Sequence, residues 1–323
     1  MKPVKWLTAV CLAMGLAVPA LAQKPKFPEG PLRLIVPFAP GGGVDSAARL
    51  LAKQLQTQFN VPVIVENKAG ASGTVGGKAV QVAAADGQTL LFSAATHVLA
   101  KQVLANPPYD PQTDFEAVAR VGEAPLMLVI PPNLAPKRLS EVMEAARKQP
   151  DAWAAAIPAM GAPSHLATLL MAKQGNLKLT TAAYRGTAPA LTDVAGGHVQ
   201  ILLDSIISIS PMAKGGKVKP IVTTGAKRSS VAPDVPTAAE SGYPGLVYVS
   251  WYGVWAPKGT PDERVQFLNK AINESVVELQ KAGAWTTLGV EPVTETVAQF
   301  RKFVAHDVAQ SAELLKEAGF KPE

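Results

Sequence analysis

The feature that most constrains the fold is an alternation of strand and helix patterns between residues 32 and 93. Residues 32–38 form an apolar run, broken only by one arginine, which is typical of a strand buried on both faces. Further strands are predicted over 61–65 and 89–93. Apolar residues recur at helical spacing over 44–59 and again over 72–84. The resulting order, β-α-β-α-β, predicts a parallel sheet with right-handed crossovers.

The rest of the chain predicts a second α/β block and a helical C-terminal part. Short extended segments alternate with helices up to residue 224, and the helix predicted at 139–148 has Ser140 as its expected N-cap. A strand is predicted at 247–255, and helices follow it. We therefore predict an α/β protein with two lobes and a ligand cleft at the carboxyl ends of the strands. The predicted parts are a signal segment (1–22), a first lobe (23–124 and 248–323) and a second lobe (125–247).

Residues 1–22 have the pattern of a secretory signal peptide. Two lysines precede a mostly apolar stretch, and Ala20 and Ala22 occupy the positions that a signal peptidase reads, so cleavage is expected before Gln23. A permanent N-terminal anchor is the alternative, but the apolar stretch is short for a membrane span. Cys11 is the only cysteine and lies in this segment. A secreted chain without disulfides fits the periplasm of a Gram-negative bacterium.

Composition and missing motifs exclude several functions. Removing 22 of the 323 residues leaves 301, with 29 basic and 25 acidic residues and a net charge of +4. The basic residues are spread without runs, which argues against a nucleic-acid surface. The sequence contains no P-loop, G-x-G-x-x-G, H-E-x-x-H or G-x-S-x-G motif, and only four histidines. We therefore expect no enzymatic activity, no metal and no cofactor.

Glycine-rich junctions follow the predicted strands. The first, FAPGGG at 38–43, leads into a helix whose N-terminus supplies free N–H donors and partial positive charge, so we interpret it as an anion pocket. Asp45, in the first turn of that helix, is interpreted as complementing the helix dipole. Such loops can be plain turns, but five of them in two facing lobes favour ligand binding. The other four junctions cover residues 66–73, 94–97, 160–165 and 184–189.

Eight segments, in this order and spacing, resemble one protein family. They are LRLIVPFAPGGGVDSAARLLA, VENKAGASGTVGGKAV followed by ADGQTLLFS, YDPQTDFEAVARVGEAP, SHLATLLMA, YRGTAPALTDVAGGHVQ, PDVPTAAESGYPG and WYGVWAPKGTP. The chain resembles the periplasmic solute-binding proteins of tripartite tricarboxylate transporters, the Bug or TctC-like family. The resemblance covers nearly all of the predicted mature chain.

The resemblance implies a two-lobed periplasmic binding protein fold of type II, which closes on its ligand. Members of the family bind a carboxylate in the cleft, largely through backbone amides and ordered waters at strand-end loops. Matched position by position, the implied ligand-binding residues are Phe38, Ala39, Gly41, Gly42, Gly70, Ala71, Ser72, Thr96, His97, Ser164, His165, Tyr184, Thr187 and Asp204.

The chain departs from the family pattern at two places. Alanines stand at 182–183, where Val-Pro is common, and Gly43 and Val44 replace a small polar residue after the glycines. The loss of a hydroxyl at Val44 favours a ligand with an apolar part. Two roles stay open. Arg185 could pair with a ligand carboxylate or form a surface salt bridge, and Asp204 could accept a hydrogen bond from a ligand amine or hydroxyl or hold the neighbouring loop.

These observations predict a monomeric periplasmic protein that captures a small carboxylate by hinge closure and delivers it to the permease of a tripartite tricarboxylate transporter. The alternative is a carboxylate-sensing receptor that presents its closed form to the sensor kinase of a two-component system. A secreted hydrolase is a third possibility, but the adjacent Ser164 and His165 point apart and make a poor nucleophile and base. The ligand is left open among dicarboxylates, aromatic acids and amino acids.

Overall fold

The computed structural model describes residues 27–322, so the predicted signal segment at 1–22 lies outside the described part. The strands are β1 (Leu32–Val36), β2 (Val63–Asn67), β3 (Thr89–Ala94), β4 (Phe115–Ile130), β5 (Ala154–Ile157), β6 (Thr180–Ala183), β7 (Leu202–Ser205), β8 (Lys219–Thr223), β9 (Val249–Pro257) and β10 (Glu291–Pro292). The helices are α1 (Gly43–Phe59), α2 (Thr74–Gln81), α3 (Ala95–Val98), α4 (Ala100–Val103), α5 (Leu139–Lys148), α6 (Pro163–Gly175), α7 (Thr187–Ala195), α8 (Ile206–Lys214), α9 (Asp262–Lys281), α10 (Ala284–Leu288) and α11 (Val297–Glu317).

The first three strands form the predicted parallel unit. β1 lies between β2 and β3, and Leu34 is in register with Val65 on one side and Leu90 on the other. Leu51 and Leu55 of α1 are fully buried in the core that covers one face of this sheet. The helical pattern of the sequence therefore predicted both the helix and the face that it buries.

β4 links the two halves of the molecule. Residues 115–125 pair antiparallel with β9, which itself pairs with β3, so this stretch extends the first sheet. From Leu126 onward the partners of β4 are instead β7 and β8. Leu128 and Ile130 enter a second hydrophobic core, which belongs to the second half. The change of partners within one strand means that the two halves share a continuous backbone connection.

The second half repeats the α/β alternation, as predicted. β5 and β6 pair in parallel, and Ile201 bridges Ala155 in parallel beside them. α7 occupies the residues that the sequence pattern predicts, Thr187–Ala195. β5, β6 and β7 are each followed in the chain by a helix (α6, α7 and α8), as β1, β2 and β3 are in the first half. This arrangement places helix N-termini at the edge where the halves face each other.

α2 differs from the sequence-based expectation in its length and its buried face. The pattern predicts a helix over 72–84, but the helix begins at Thr74 and ends at Gln81. Its apolar stripe is exposed at Val75, and its buried face is formed largely by Gly76 and Gly77. A Cβ on Gly77 would lie 2.1 Å from the Tyr109 hydroxyl oxygen, so glycine is required by close approach. Hydrophobic periodicity misses a contact of this kind because glycine has no side chain.

Other expectations about local structure are also corrected. Ser140 is not the N-cap of α5, because the helix begins at Leu139 and Glu141 Oε2 accepts from the Arg138 N–H at 3.2 Å. The junction at 94–97 is largely helical, since it forms α3. The pattern analysis did not predict α8, which contains Pro211.

α11 packs against the first sheet and carries a buried carboxyl. Asp307 lies beside Trp251 of β9, and burial raises the pKa of Asp307 to about 6. Trp251, His306 and Arg120 lower the pKa, but only in part, since it stays raised overall. Asp307 Oδ2 and Trp251 Nε1 are both buried without a partner in hydrogen-bond geometry. The charged form of Asp307 is therefore poorly solvated in the folded protein.

Replacing Asp307 with asparagine is expected to stabilise the protein above pH 7 by about 1–2 kcal/mol. Since the folded-state pKa is raised, the contribution of Asp307 is complete below about pH 4 and is lost as the pH rises through about 6. Urea unfolding at pH 4 and pH 8 measures the difference. Glu313→Gln, which changes an exposed carboxylate of the same helix, serves as the control. Equal effects of Asp307→Asn at both pH values would contradict this account.

Candidate ligand-binding cleft

A cavity of about 450 Å³ lies where the two halves face each other. The first half contributes Phe38 and the start of α1, and the second contributes residues before α6, α7 and α8. Tyr252 of β9 closes one side.

Four helices point their N-termini at this cavity. α1, α6, α7 and α8 have between 9 and 17 residues, and no side chain hydrogen-bonds to cap any of them. The first N–H groups of a helix lack intrahelical partners and carry partial positive charge. Their convergence gives the cavity donors for an anion without a basic side chain. The N-cap residues, all of which line the cavity, are Gly42, Ala162, Gly186 and Ser205.

Asp45 holds the first glycine loop in place. Its carboxylate accepts from the Gly41 N–H at 3.0 Å, from Asn67 Nδ2 at 2.8 Å and from Arg49 Nε at 3.0 Å. Asn67 also donates to the Phe38 carbonyl at 3.0 Å. Burial raises the pKa of Asp45, but the hydrogen bonds from Arg49, Gly41 and Asn67 outweigh burial and lower the pKa overall. Asp45 therefore does more than complement the helix dipole, and it takes up the Gly41 N–H donor.

A second, smaller cavity of about 220 Å³ adjoins the first and shares Phe38, Pro158 and Ala159 with it. Its wall includes the turn at 70–73, in which all four residues have positive φ. Two of these residues are not glycine, and such backbone costs free energy and is often found at functional sites. Ser72 Oγ accepts from the Met160 N–H of the other half at 3.2 Å. This hydrogen bond connects the strained turn of the first half to the second half across the cleft.

The two halves are closed against each other. A Cβ on Gly43 would lie 2.9 Å from Ser205 Oγ, and a Cβ on Gly186 would lie 3.3 Å from the Ala39 backbone nitrogen. Ser205 Oγ is also 2.8 Å from the Tyr252 hydroxyl oxygen. The glycines at these positions allow two backbones to approach, which larger side chains would prevent.

Asp204 is the only carboxyl group among the described residues that line the first cavity. It is 8% exposed, and Thr187 Oγ1 donates to its Oδ2 at 2.5 Å. Burial raises the pKa of Asp204, and hydrogen bonds from Thr187 and the Ser205 N–H only partly offset this. No lysine, arginine or histidine is among those lining residues.

Three of the residues implied by the resemblance lie in the core behind the cleft. His97 is packed against Tyr109, Phe115 and Trp255, and burial lowers its pKa to about 3. His165 accepts from the Gly161 N–H through Nδ1 at 3.2 Å, and burial lowers its pKa to about 4. Both rings are neutral at pH 7. Ser164 is fully buried.

The structure brings most of the implied residues to the two cavities. Ala39 and Gly41 line neither cavity, and the three core residues do not line one either. Ala39 nevertheless lies close to Gly186 of the other half. The analysis of the sequence missed Ser205 and Tyr252, whose approach to the cavity depends on α8 and β9. The implied residues that line the first cavity are Phe38, Gly42, Thr96, Thr187 and Asp204. The implied residues that line the second cavity are Phe38, Gly70, Ala71, Ser72 and Tyr184.

Among residues 27–322, no three His, Cys, Asp or Glu side chains are grouped so that they could hold a metal ion. None of the helices in the same range has the length and apolarity needed to span a membrane.

The two halves share β4 and face each other across a cavity lined by helix N-termini. This is the architecture of a two-lobed binding protein. Solved structures agree. The periplasmic binding protein BugD matches with a TM-score of 0.87 and 35% identity over 92% of this chain and 100% of BugD. A Rhodopseudomonas palustris protein solved with adipate matches with a TM-score of 0.86 and 30% identity, over 92% of this chain and 100% of that protein. The predicted fold class is confirmed.

Sequence comparison gives the family. The profile of the tripartite tricarboxylate transporter family receptor, TctC, matches residues 47–320. BugT of Bordetella pertussis is 35% identical over 309 residues, which cover 95% of this chain and 94% of BugT. The chain belongs to the TctC receptor family, as its motifs predicted. The family and the fold are those of periplasmic solute-binding proteins.

Proposed function

We propose that this protein captures a small carboxylate in the cleft by lobe closure and delivers it to the permease of a tripartite tricarboxylate transporter. The observation that carries the proposal is the convergence of four uncapped helix N-termini on one cavity between the two halves. Backbone donors bind a carboxylate without a fixed counter-charge, so release remains easy. The adipate-bound neighbour supports the choice of a carboxylate.

The lobes of this proposal are residues 23–124 with 248–323, and residues 125–247. The exchange of partners along β4 between Pro125 and Leu126 supports the first boundary. Tyr248 supports the second, because its N–H donates to the Thr224 carbonyl just before β9 rejoins the first sheet. Rotation about these connections opens and closes the cleft.

The proposed ligand contacts are the implied residues that line the cavities. His97, Ser164 and His165 do not line the cavities. Their proposed role is to fix the loops whose backbone faces the ligand. The two histidines are neutral and buried, so neither offers a charge to an anion. We expect no catalysis at this site.

The test is a thermal-shift screen of residues 23–323 against carboxylates, amino acids and neutral sugars. A ligand that binds only the folded protein stabilises it by about 2.7 kcal/mol at a hundredfold excess over Kd. We expect a shift with one class of acid and none with sugars. A shift with neutral solutes alone would overturn the carboxylate proposal.

Solution scattering on the same samples tests closure. The ligand should reduce the radius of gyration relative to the free protein, because contacts to both lobes favour the closed form. An unchanged radius with saturating ligand would contradict hinge closure.

Undiminished uptake of the ligand by a deletion strain would contradict delivery to a permease.

A further inference from the structure

The chain passes between the two proposed lobes twice, and the two crossings lie side by side. The first crossing is at Pro125 and Leu126 of β4, and the second is at Tyr248, directly before β9. Pro125 and Val249 are in register in the antiparallel ladder of β4 and β9. Proline has no N–H group, so Pro125 donates no hydrogen bond in this ladder. Rotation of one lobe against the other must bend both crossings, because they are the backbone connections between the lobes.

Thr224 directly follows β8 in the second lobe and uses all of its polar groups on the two crossings. Its backbone N–H donates to the Leu126 carbonyl at 2.9 Å, and its hydroxyl accepts from the Leu126 N–H at 3.0 Å. On the other side, the hydroxyl donates to the Tyr248 carbonyl at 2.5 Å, and the Thr224 carbonyl accepts from the Tyr248 N–H at 3.0 Å. The Tyr248 carbonyl is nearer to the hydroxyl than the Leu126 carbonyl, which is 3.4 Å away. Thr224 is completely buried, so water does not replace these hydrogen bonds when one is lost.

Thr223, the preceding residue, has a buried hydroxyl without such a role. Thr223 is as completely buried as Thr224, but its Oγ1 has no hydrogen-bond partner among the described residues. Of these two neighbouring threonines, therefore, only Thr224 joins the crossings through its hydroxyl.

We propose that Thr224 is the positioning residue of the hinge, because its hydroxyl holds both crossings to the second lobe and to each other. This inference rests on the lobe boundaries of the proposed function. Crossings that are held together at Thr224 bend together at Pro125 and Val249, and the lobes then rotate about one axis. Without the hydroxyl, one backbone hydrogen bond to each crossing remains, and the lobes take up a wider range of orientations. Thr224 lines neither cavity, so it acts on a ligand only through the orientation of the lobes.

The first experiment measures the distance between the lobes in the protein without ligand. The predicted mature chain has no cysteine, so Lys53→Cys in α1 and Lys148→Cys in α5 provide one exposed site for a spin label in each lobe. In pulsed EPR, Thr224→Val should broaden the distance distribution about twofold relative to the labelled parent. Thr223→Val loses a hydroxyl in the same way and should leave the distribution unchanged.

Thr224→Ser keeps the hydroxyl and should give a distribution close to that of the parent. Equal distributions in Thr224→Val and Thr223→Val overturn the inference. Broadening in Thr224→Ser equal to that in Thr224→Val also overturns it, because the hydroxyl would then not be the cause.

Amide hydrogen exchange in the wild-type protein tests the same role if Thr224→Val does not fold. The N–H groups of Leu126 and Tyr248 both donate to Thr224, so they should open in a single event. Their protection factors should therefore agree within about fivefold. A larger difference would mean that the crossings open separately, and it would overturn the inference.

The proposed function is tested separately, because neither experiment uses a ligand. If Thr224→Val behaves like Thr223→Val while an acid from the thermal-shift screen binds and reduces the radius of gyration, only the inference about Thr224 is overturned. If no acid binds, the carboxylate proposal is overturned and the role of Thr224 is still decided by the label distances. If an acid binds but the lobes do not close, hinge closure and this inference are both overturned.

Discussion

Gly43→Val is expected to weaken ligand binding by about a hundredfold or more, while the protein stays folded. A Cβ at Gly43 would lie 2.9 Å from Ser205 Oγ and 3.2 Å from the Tyr252 hydroxyl oxygen. Valine adds two methyl groups at this contact between the lobes. Opening the cleft relieves the clash with Ser205, because Ser205 belongs to the other lobe, whereas Tyr252 belongs to the same lobe as Gly43. Binding that depends on contacts from both lobes is then lost.

Calorimetry with the ligand found by thermal shift measures this effect, and circular dichroism checks the fold. Gly30→Ala is the control, since the nearest atom to its added Cβ, Gln88 Oε1, is 3.9 Å away. We expect the control to bind like the wild type. Wild-type affinity in Gly43→Val would mean that the ligand does not require closure at the start of α1.

Asp45→Ala is expected to lower the free energy of unfolding by about 2–4 kcal/mol and to weaken binding as well. The substitution leaves the Gly41 N–H and the side chains of Arg49 and Asn67 without their shared acceptor. Asn67 would then hold the Phe38 carbonyl less firmly. The FAPGGG loop would lose the contacts that fix its position before α1. Asp45→Asn keeps part of the acceptor capacity and should cost less.

Urea unfolding at several pH values tests this prediction. The pKa of Asp45 is lowered in the folded protein, so its stabilising contribution is present above about pH 4 and is lost as the pH falls through the lowered value. The deficit of Asp45→Ala should therefore shrink in acid. Asp262→Ala removes an exposed first-turn carboxylate of α9 and should cost less than about 1 kcal/mol. Equal losses from the two variants would refute a special role for Asp45.

The sequence predicted those parts of the site that depend on local patterns. The apolar run of β1, the helical stripe of α1 and the glycines between them identified the first junction. Hydrophobic periodicity and the run of glycines are sufficient to predict this junction, because a strand end followed by a helix N-terminus has much the same geometry in any open α/β sheet. The same reasoning found Thr187 at the start of α7.

The sequence alone placed other residues less well. His97 matches a family position, but its ring packs among Tyr109, Phe115 and Trp255 in the core. Nothing near His97 in the sequence indicates this, since these partners are 12, 18 and 158 residues away. Gly77 presents the same difficulty, because its contact with Tyr109 is made between separate elements.

The sequence by itself determined the class of fold, the family and the glycine junctions, because periodicity and motifs are local properties of the chain. Only the tertiary structure decided which loops meet. The exchange of partners along β4 brings the second lobe over the first, and this places Asp204 and Ser205 opposite the start of α1. Pairing between distant strands depends on packing over the whole molecule, so no local pattern specifies it. The shape and charge of the cleft follow from that pairing.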